Sequence, residues 1–233
     1  FAFAHCSGLT SVDLSGCTNL TSTGNNTFYE CSGLTSVDLN GCSSLTSIGG
    51  YAFYKCRGLT SVDLSGCTNL TSIGNWAFDG CRGLTSISLP SSLTSIGWDA
   101  FYGCSGLTGE LNLGGCTSLT SIGGWAFQYC SGLTSVDLSG CTNLTSIGDN
   151  AFSVCSGLTS VDLSGCTSLT SIERYAFNSC SALVSVVFPE GSTGWEVSTS
   201  SSMTNPISVS VTDPSTNASN LTDTYYNYYW KRG

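Results

Sequence analysis

The chain has 233 residues, with 15 Asp and Glu against 6 Lys and Arg, and a formal net charge of -9. So few cations exclude a nucleic-acid partner, whose phosphates need a basic stripe. With 28 Gly and only 9% charged residues, a coiled coil or helical bundle is disfavoured, and no apolar run approaches the ~20 residues of a membrane span.

The chain opens on Phe-Ala-Phe-Ala-His, which reads as the tail of a repeat unit. It therefore starts inside a repeat, and reads as a fragment or processed chain from which targeting cannot be taken. From Cys6 onward the cysteines fall 11 and then 14 residues apart, a period of 25 with one lapse. Seven full units run from Cys6 to Ser179, and an eighth begins at Cys180. Such a period means that stacked coils bury together what no coil can bury alone.

Each unit resembles Cys56 to Gly80. Its Leu59-Thr-Ser-Val-Asp-Leu64 stretch alternates as a strand does, with Leu59, Val62 and Leu64 inward and Ser61 and Asp63 outward. A second, shorter Leu-Thr-Ser-Ile follows, and the Ala-Phe-x-x-Cys stretch predicts a single helical turn. The fourth unit, Cys81 to Gly103, is shortened at Pro90 to Leu93, and the fifth, Cys104 to Tyr129, is one residue longer than the rule. Both changes predict altered corners rather than a lost strand. After Pro189 the period stops, and residues 190–220 are rich in Ser, Thr and Asn. The expected organisation is a solenoid of about eight coils over 1–189, then a C-terminal cap with an aromatic tail over 190–233.

Leu59 to Leu70 resembles the leucine-rich repeat signature, and the Ile-Gly-x-x-Ala-Phe-x-x-Cys-x-x-Leu that follows resembles the BspA-like, or Treponema-type, repeats. The resemblance covers residues 1 to about 189. It implies a right-handed, β-rich leucine-rich repeat solenoid of short parallel strands, found on bacterial cell-surface or secreted proteins. It also implies adhesion rather than catalysis, and no catalytic residues exist to carry over. In that family the Val-Asp-Leu strand lines the concave, partner-binding face.

Equivalent positions stack into rows. One cysteine row is Cys6, Cys31, Cys56, Cys81, Cys104, Cys130, Cys155 and Cys180; the other is Cys17, Cys42, Cys67, Cys116, Cys141 and Cys166. The spacing favours a ladder of reduced, buried thiols over bridges. Without a Cys-x-x-Cys pair, and with His5 the only imidazole, neither a metal site nor any cofactor is expected. The carboxylate row is Asp13, Asp38, Asp63, Asp137 and Asp162, interrupted by Ser88 and Asn112. It reads either as a docking strip for a basic partner or a weak calcium site, or as a solvated face made by copying one unit. The aromatic row is Tyr51, Trp76, Trp98, Trp125 and Tyr175. It reads either as corner packing or as a contact surface for protein or sugar. The leading expectation is a non-enzymatic, extracellular or cell-surface protein that binds another protein, chiefly through the acidic row. The alternatives are a carbohydrate-binding protein using the aromatic row, and a structural spacer.

Overall fold

The computed structural model describes all 233 residues. Each unit forms one coil with two short parallel strands. The first strand is Ser-Val-Asp, as at Ser61–Asp63, where Val62 is buried while Ser61 and Asp63 face solvent. Identical alternation in every coil locks the register: Ser11 pairs with Ser36, Val12 with Val37 and Asp13 with Asp38. The second strand is Ser-Ile, as at Ser72–Ile73, paired with Ser47–Ile48 before it and Ser95–Ile96 after it. Glycine ends this strand because coils approach closely there: a Cβ on Gly74 would stand 2.6 Å from the Gly50 backbone nitrogen.

The two sheets differ in continuity. The Ser-Ile sheet has nine strands, the last three supplied by the cap. The Val-Asp-Leu sheet breaks into two four-stranded halves between Ser86–Ser88 and Gly109–Asn112. The break follows the shortened fourth unit and the extra residue of the fifth. That residue is absorbed as a register shift against Leu133–Ser135.

Between the sheets runs one apolar core of 62 buried residues. Its axis is a ladder of phenylalanines, from Phe28 to Phe177, with neighbouring rings 5.0 to 5.4 Å apart and nearly parallel. No helix is long and apolar enough to cross a membrane.

All fourteen cysteines are free thiols. Except for Cys116, the interior ones donate to carbonyls of the preceding coil: Cys56 Sγ to Phe28 O at 3.1 Å, Cys81 to Phe53 O at 3.0 Å, Cys141 to Leu113 O at 3.1 Å. Each of these thiols thus adds a second hydrogen bond to a carbonyl that already accepts a backbone N–H, as well as filling space. Burial pushes the Cys56 thiol up to about 12, and the fully buried Cys81, Cys104 and Cys130 well above the usual thiol range. Because the thiolate is the reactive species, these groups are inert in the folded chain. Only Cys6 and Cys17 are exposed. Titration with a thiol-reactive disulfide reagent should therefore count two thiols in the native protein and 14 in denaturant. A native count near the total would contradict the ladder.

One expectation is corrected. The Ala-Phe-x-x-Cys stretch forms no helical turn. It is a run of i to i+3 turns: Ala52 N–H donates to Gly49 O and Cys56 N–H to Phe53 O, with Tyr51 and Lys55 in left-handed backbone at φ 55° and 54°. A helix would spend its N–H groups inside the coil. Here alternate N–H groups point along the stack instead: Trp76 N–H donates to Trp98 O at 2.8 Å, Phe78 to Ala100 O at 2.7 Å, Gly80 to Tyr102 O at 2.8 Å. These bonds between coils hold bulky residues in a conformation they seldom adopt.

The C-terminal end is covered. Strand Tyr229–Arg232 pairs antiparallel with Ser171–Ile172 of the solenoid on one side and with Trp195–Ser198 on the other. Ile207–Val209 completes the sheet. Helix Pro214–Ser219 is capped by Asp213, whose carboxylate accepts from Thr216 N–H. These hydrogen bonds hold the Asp213 carboxyl down to about 2. Buried Asn217 ties the helix to the last Val-Asp-Leu strand through a 2.9 Å bond to Val186 O. Its Oδ1 is the one buried side-chain oxygen without a partner.

Candidate functional site

The Val-Asp-Leu sheet carries the acidic row. Asp13, Asp38 and Asp63 are exposed, and Asp137 and Asp162 half-buried. Each carboxylate does local work. Its Oδ1 accepts the N–H two residues on, at 2.8 to 2.9 Å, from Ser15, Asn40, Ser65, Ser139 and Ser164 respectively. This side-chain turn bends the chain out of the strand into the glycine corner. Bonds from Ser15 and Ser65 also lower the Asp13 and Asp63 carboxyls below the usual carboxylate range. Asn112 makes the same turn to Gly114 N–H at 3.0 Å, so the turn needs the oxygen and not the charge. The Oδ2 of each of these aspartates accepts no hydrogen bond from the protein.

Both halves of the sheet form a shallow trough. The first, of about 380 Å³, brings together Asp13, Asp38 and Asp63 with Ser11, Ser36 and Ser61. The second, of about 410 Å³, brings together Asp137 and Asp162 with Ser135 and Ser160. The second trough also contains Glu110, which the sequence reading did not single out. Glu110 occupies the outward serine position of the irregular fifth unit, so strand alternation was the signal that could have found it.

The aromatic row sits at the coil corners and is not one continuous surface. Tyr51 and Trp76 stack face to face, 4.8 Å apart and 8° from parallel. Tyr54 meets Tyr51 edge-on at 5.5 Å and stacks on Tyr29 at 4.8 Å. Ring faces in this half are thus turned along the stack onto one another, which is corner packing. Trp98 and Trp125 form a second, tilted pair at 5.2 Å, and Trp98 is 53% exposed. Tyr175 packs against the cap: its ring lies 5.9 Å from Tyr226 and under the Arg174 guanidinium at 4.9 Å. Asp99 takes the aromatic position between Trp76 and Trp125. Burial, and then the Asp99 charge, raise the nearby Asp79 carboxyl to about 6.

No group of His, Cys, Asp and Glu is arranged to hold a metal ion. The arrangement offers two acidic, hydroxyl-lined troughs on a rigid sheet and a segmented aromatic edge.

Comparison with known proteins places this architecture. The family model described as "BspA type Leucine rich repeat region (6 copies)" matches residues 1–117 and 110–226. Among solved structures, the chain is similar to a leucine-rich repeat protein of T. pallidum. The two share 30% identity over 64% of this chain and 72% of that one, with a TM-score of 0.55. A leucine-rich repeat protein from Bacteroides ovatus is 20% identical over 73% of this chain and 77% of that one, with a TM-score of 0.34. No curated protein matches the chain.

Proposed function

The chain belongs to the BspA-type leucine-rich repeat family, and from that premise we propose that it is a non-enzymatic, surface-exposed or secreted protein that binds an extracellular protein through the Val-Asp-Leu sheet. The observation that carries this reading is the pair of acidic troughs. Five aspartates each commit one oxygen to a turn and leave the other unpartnered. A basic protein surface is the complementary partner, and many weak contacts on a rigid sheet keep the ordering cost of association low.

The turn geometry defines a clean test. Because Asn112 makes the same bend as the aspartates, Asp38→Asn, Asp63→Asn, Asp137→Asn and Asp162→Asn remove charge and leave the fold alone. Surface plasmon resonance against a panel of matrix proteins should find a partner whose binding weakens with salt. The fourfold variant should lose about tenfold or more in affinity, mainly through slower association. Protein binding indifferent to both salt and the Asn set would overturn the reading.

A second reading, sugar binding by the aromatic row, is supported by the exposure of Trp98. It predicts a salt-insensitive glycan partner lost on Trp98→Ala or Trp125→Ala. Silence from both panels favours a structural spacer.

A further inference from the structure

The position just before the first cysteine of each unit reads His5, Glu30, Lys55, Gly80, Gly103, Tyr129, Val154 and Ser179. All eight residues lie in left-handed backbone, with φ between 54° and 69°. Six coils place a side chain there, so the conformation does not require glycine. The two adjacent glycines instead delete the side chains from the middle of an otherwise continuous row. A Cβ built on Gly103 would meet nothing within 4 Å, whereas one on Gly80 would come within 3.1 Å of Lys55 Cγ, so it is Gly103 that leaves the row open.

The deletion contributes to an open notch of about 430 Å³ along the corner, away from both acidic troughs. Arg82, Tyr102 and Tyr129 line it, with Ser105, Ser131 and Ser156 repeating one coil apart. Arg82 is exposed and takes part in none of the three ion pairs, which are His5–Glu30, Lys55–Glu30 and Lys231–Glu173. Arg57, its neighbour in the same row, is also exposed and unpaired. In a chain of net charge -9, two free guanidinium groups side by side are the local exception. A guanidinium fork matches a carboxylate in two parallel hydrogen bonds.

Tyr102 and Tyr129 meet edge to face, 5.3 Å apart at 76°, and Tyr129 is 43% exposed. Unlike the stacked Tyr51–Trp76 pair, this pairing does not use up both ring faces. The three serine hydroxyls are exposed, and none makes a side-chain hydrogen bond within the protein. A half-open aromatic face, free hydroxyls at regular spacing and an unpaired guanidinium suit a hydroxylated ring carrying a carboxylate. A peptide would want apolar anchors, and Val154 is the one aliphatic side chain in the notch. Burial, then Tyr129 and the Asp79 and Asp99 carboxylates, raise the Tyr102 phenol; the two carboxylates place negative charge on that side, so a ligand with one carboxylate per ring is better tolerated than a dense polyanion.

We propose that this notch binds an acidic pyranose, a uronic or sialic acid residue of a glycan. Its carboxylate sits on Arg82, its C–H face lies against Tyr129, and its hydroxyls reach Ser105 and Ser131. The site is separate from the Val-Asp-Leu sheet, so it stands or falls independently of protein binding there.

Calorimetric titration of the full chain with sialyllactose, digalacturonate and lactose tests this. One of the two acidic probes should bind at least about tenfold tighter than lactose. Arg82→Gln should remove that preference, and Gly103→Tyr should abolish binding by refilling the row. The latter folds, because Tyr129 occupies the same backbone at φ 62°; an unchanged melting curve checks this. Absence of binding by either acidic probe at millimolar concentration overturns the proposal. So does binding that survives both substitutions, and so does equal competition by a polyglutamate peptide, which would give the notch to protein.

Discussion

Replacing Phe101 with Ala should remove about 3–5 kcal/mol of stability, the range for truncating a large buried aromatic. Phe101 is fully buried, and its ring lies 5.1 Å from both Phe78 and Phe127, within 3° and 7° of parallel. The cavity cannot close, because the flanking coils are held apart at backbone spacing: Phe78 N–H bonds Ala100 O, and Phe101 N–H bonds Ala126 O. The loss falls in the fourth coil, beside the break in the Val-Asp-Leu sheet. Contacts in a repeat stack are between nearest neighbours, so a weak central interface uncouples the two ends. Urea unfolding followed by circular dichroism should show both a lower midpoint and a broader transition. Phe3→Ala is the control: that ring is 49% exposed, and its loss should stay within about 1 kcal/mol. Equal midpoints for the two variants would mean that the phenylalanine ladder is not what couples the coils.

Trp230→Ala should cost a similar amount, about 3–5 kcal/mol, and carry a second consequence. Trp230 is 1% exposed and meets Trp195 edge-on at 6.5 Å. Its strand is the only link by which the cap joins the Ser-Ile sheet, bonding Ser171–Ile172 on one side and Trp195–Ser198 on the other. Once it detaches, Ser171–Ile172 presents the unpaired edge of the six solenoid strands that remain of that sheet, the kind of edge that recruits other chains. Light scattering should therefore rise with protein concentration for Trp230→Ala. Tyr226→Ala, at an aromatic of the same tail that is 38% exposed, should leave it flat. A monomeric, stable Trp230→Ala would show that helix Pro214–Ser219 alone covers the end.

Much of this was legible in the residues. The Val-Asp-Leu alternation and the period of 25 gave the strands, their register and the core, because a copied pattern must stack on its own copy. The aspartates were found as a row, but their role was not. Each bonds an N–H two residues away, a local turn that Asp-Leu-Ser could have suggested and that the idea of a charged strip obscured. Asp213-Pro214 is likewise a local helix start, a capping residue before a proline, that went unread. The helical turn expected at Ala-Phe-x-x-Cys failed for a different reason: short turns and one helical turn share composition, and the choice rests on where the N–H groups find acceptors.

The sequence by itself determined a repeat solenoid with an apolar interior and its family membership, because those follow from a pattern each coil carries alone. Only the tertiary structure decided what each coil meets on its neighbour. Cys81 reaches Phe53 O, Tyr51 turns its face onto Trp76, and Gly103 leaves a notch beside Arg82. These partners lie roughly one coil apart, and stacking, not local preference, brings them together.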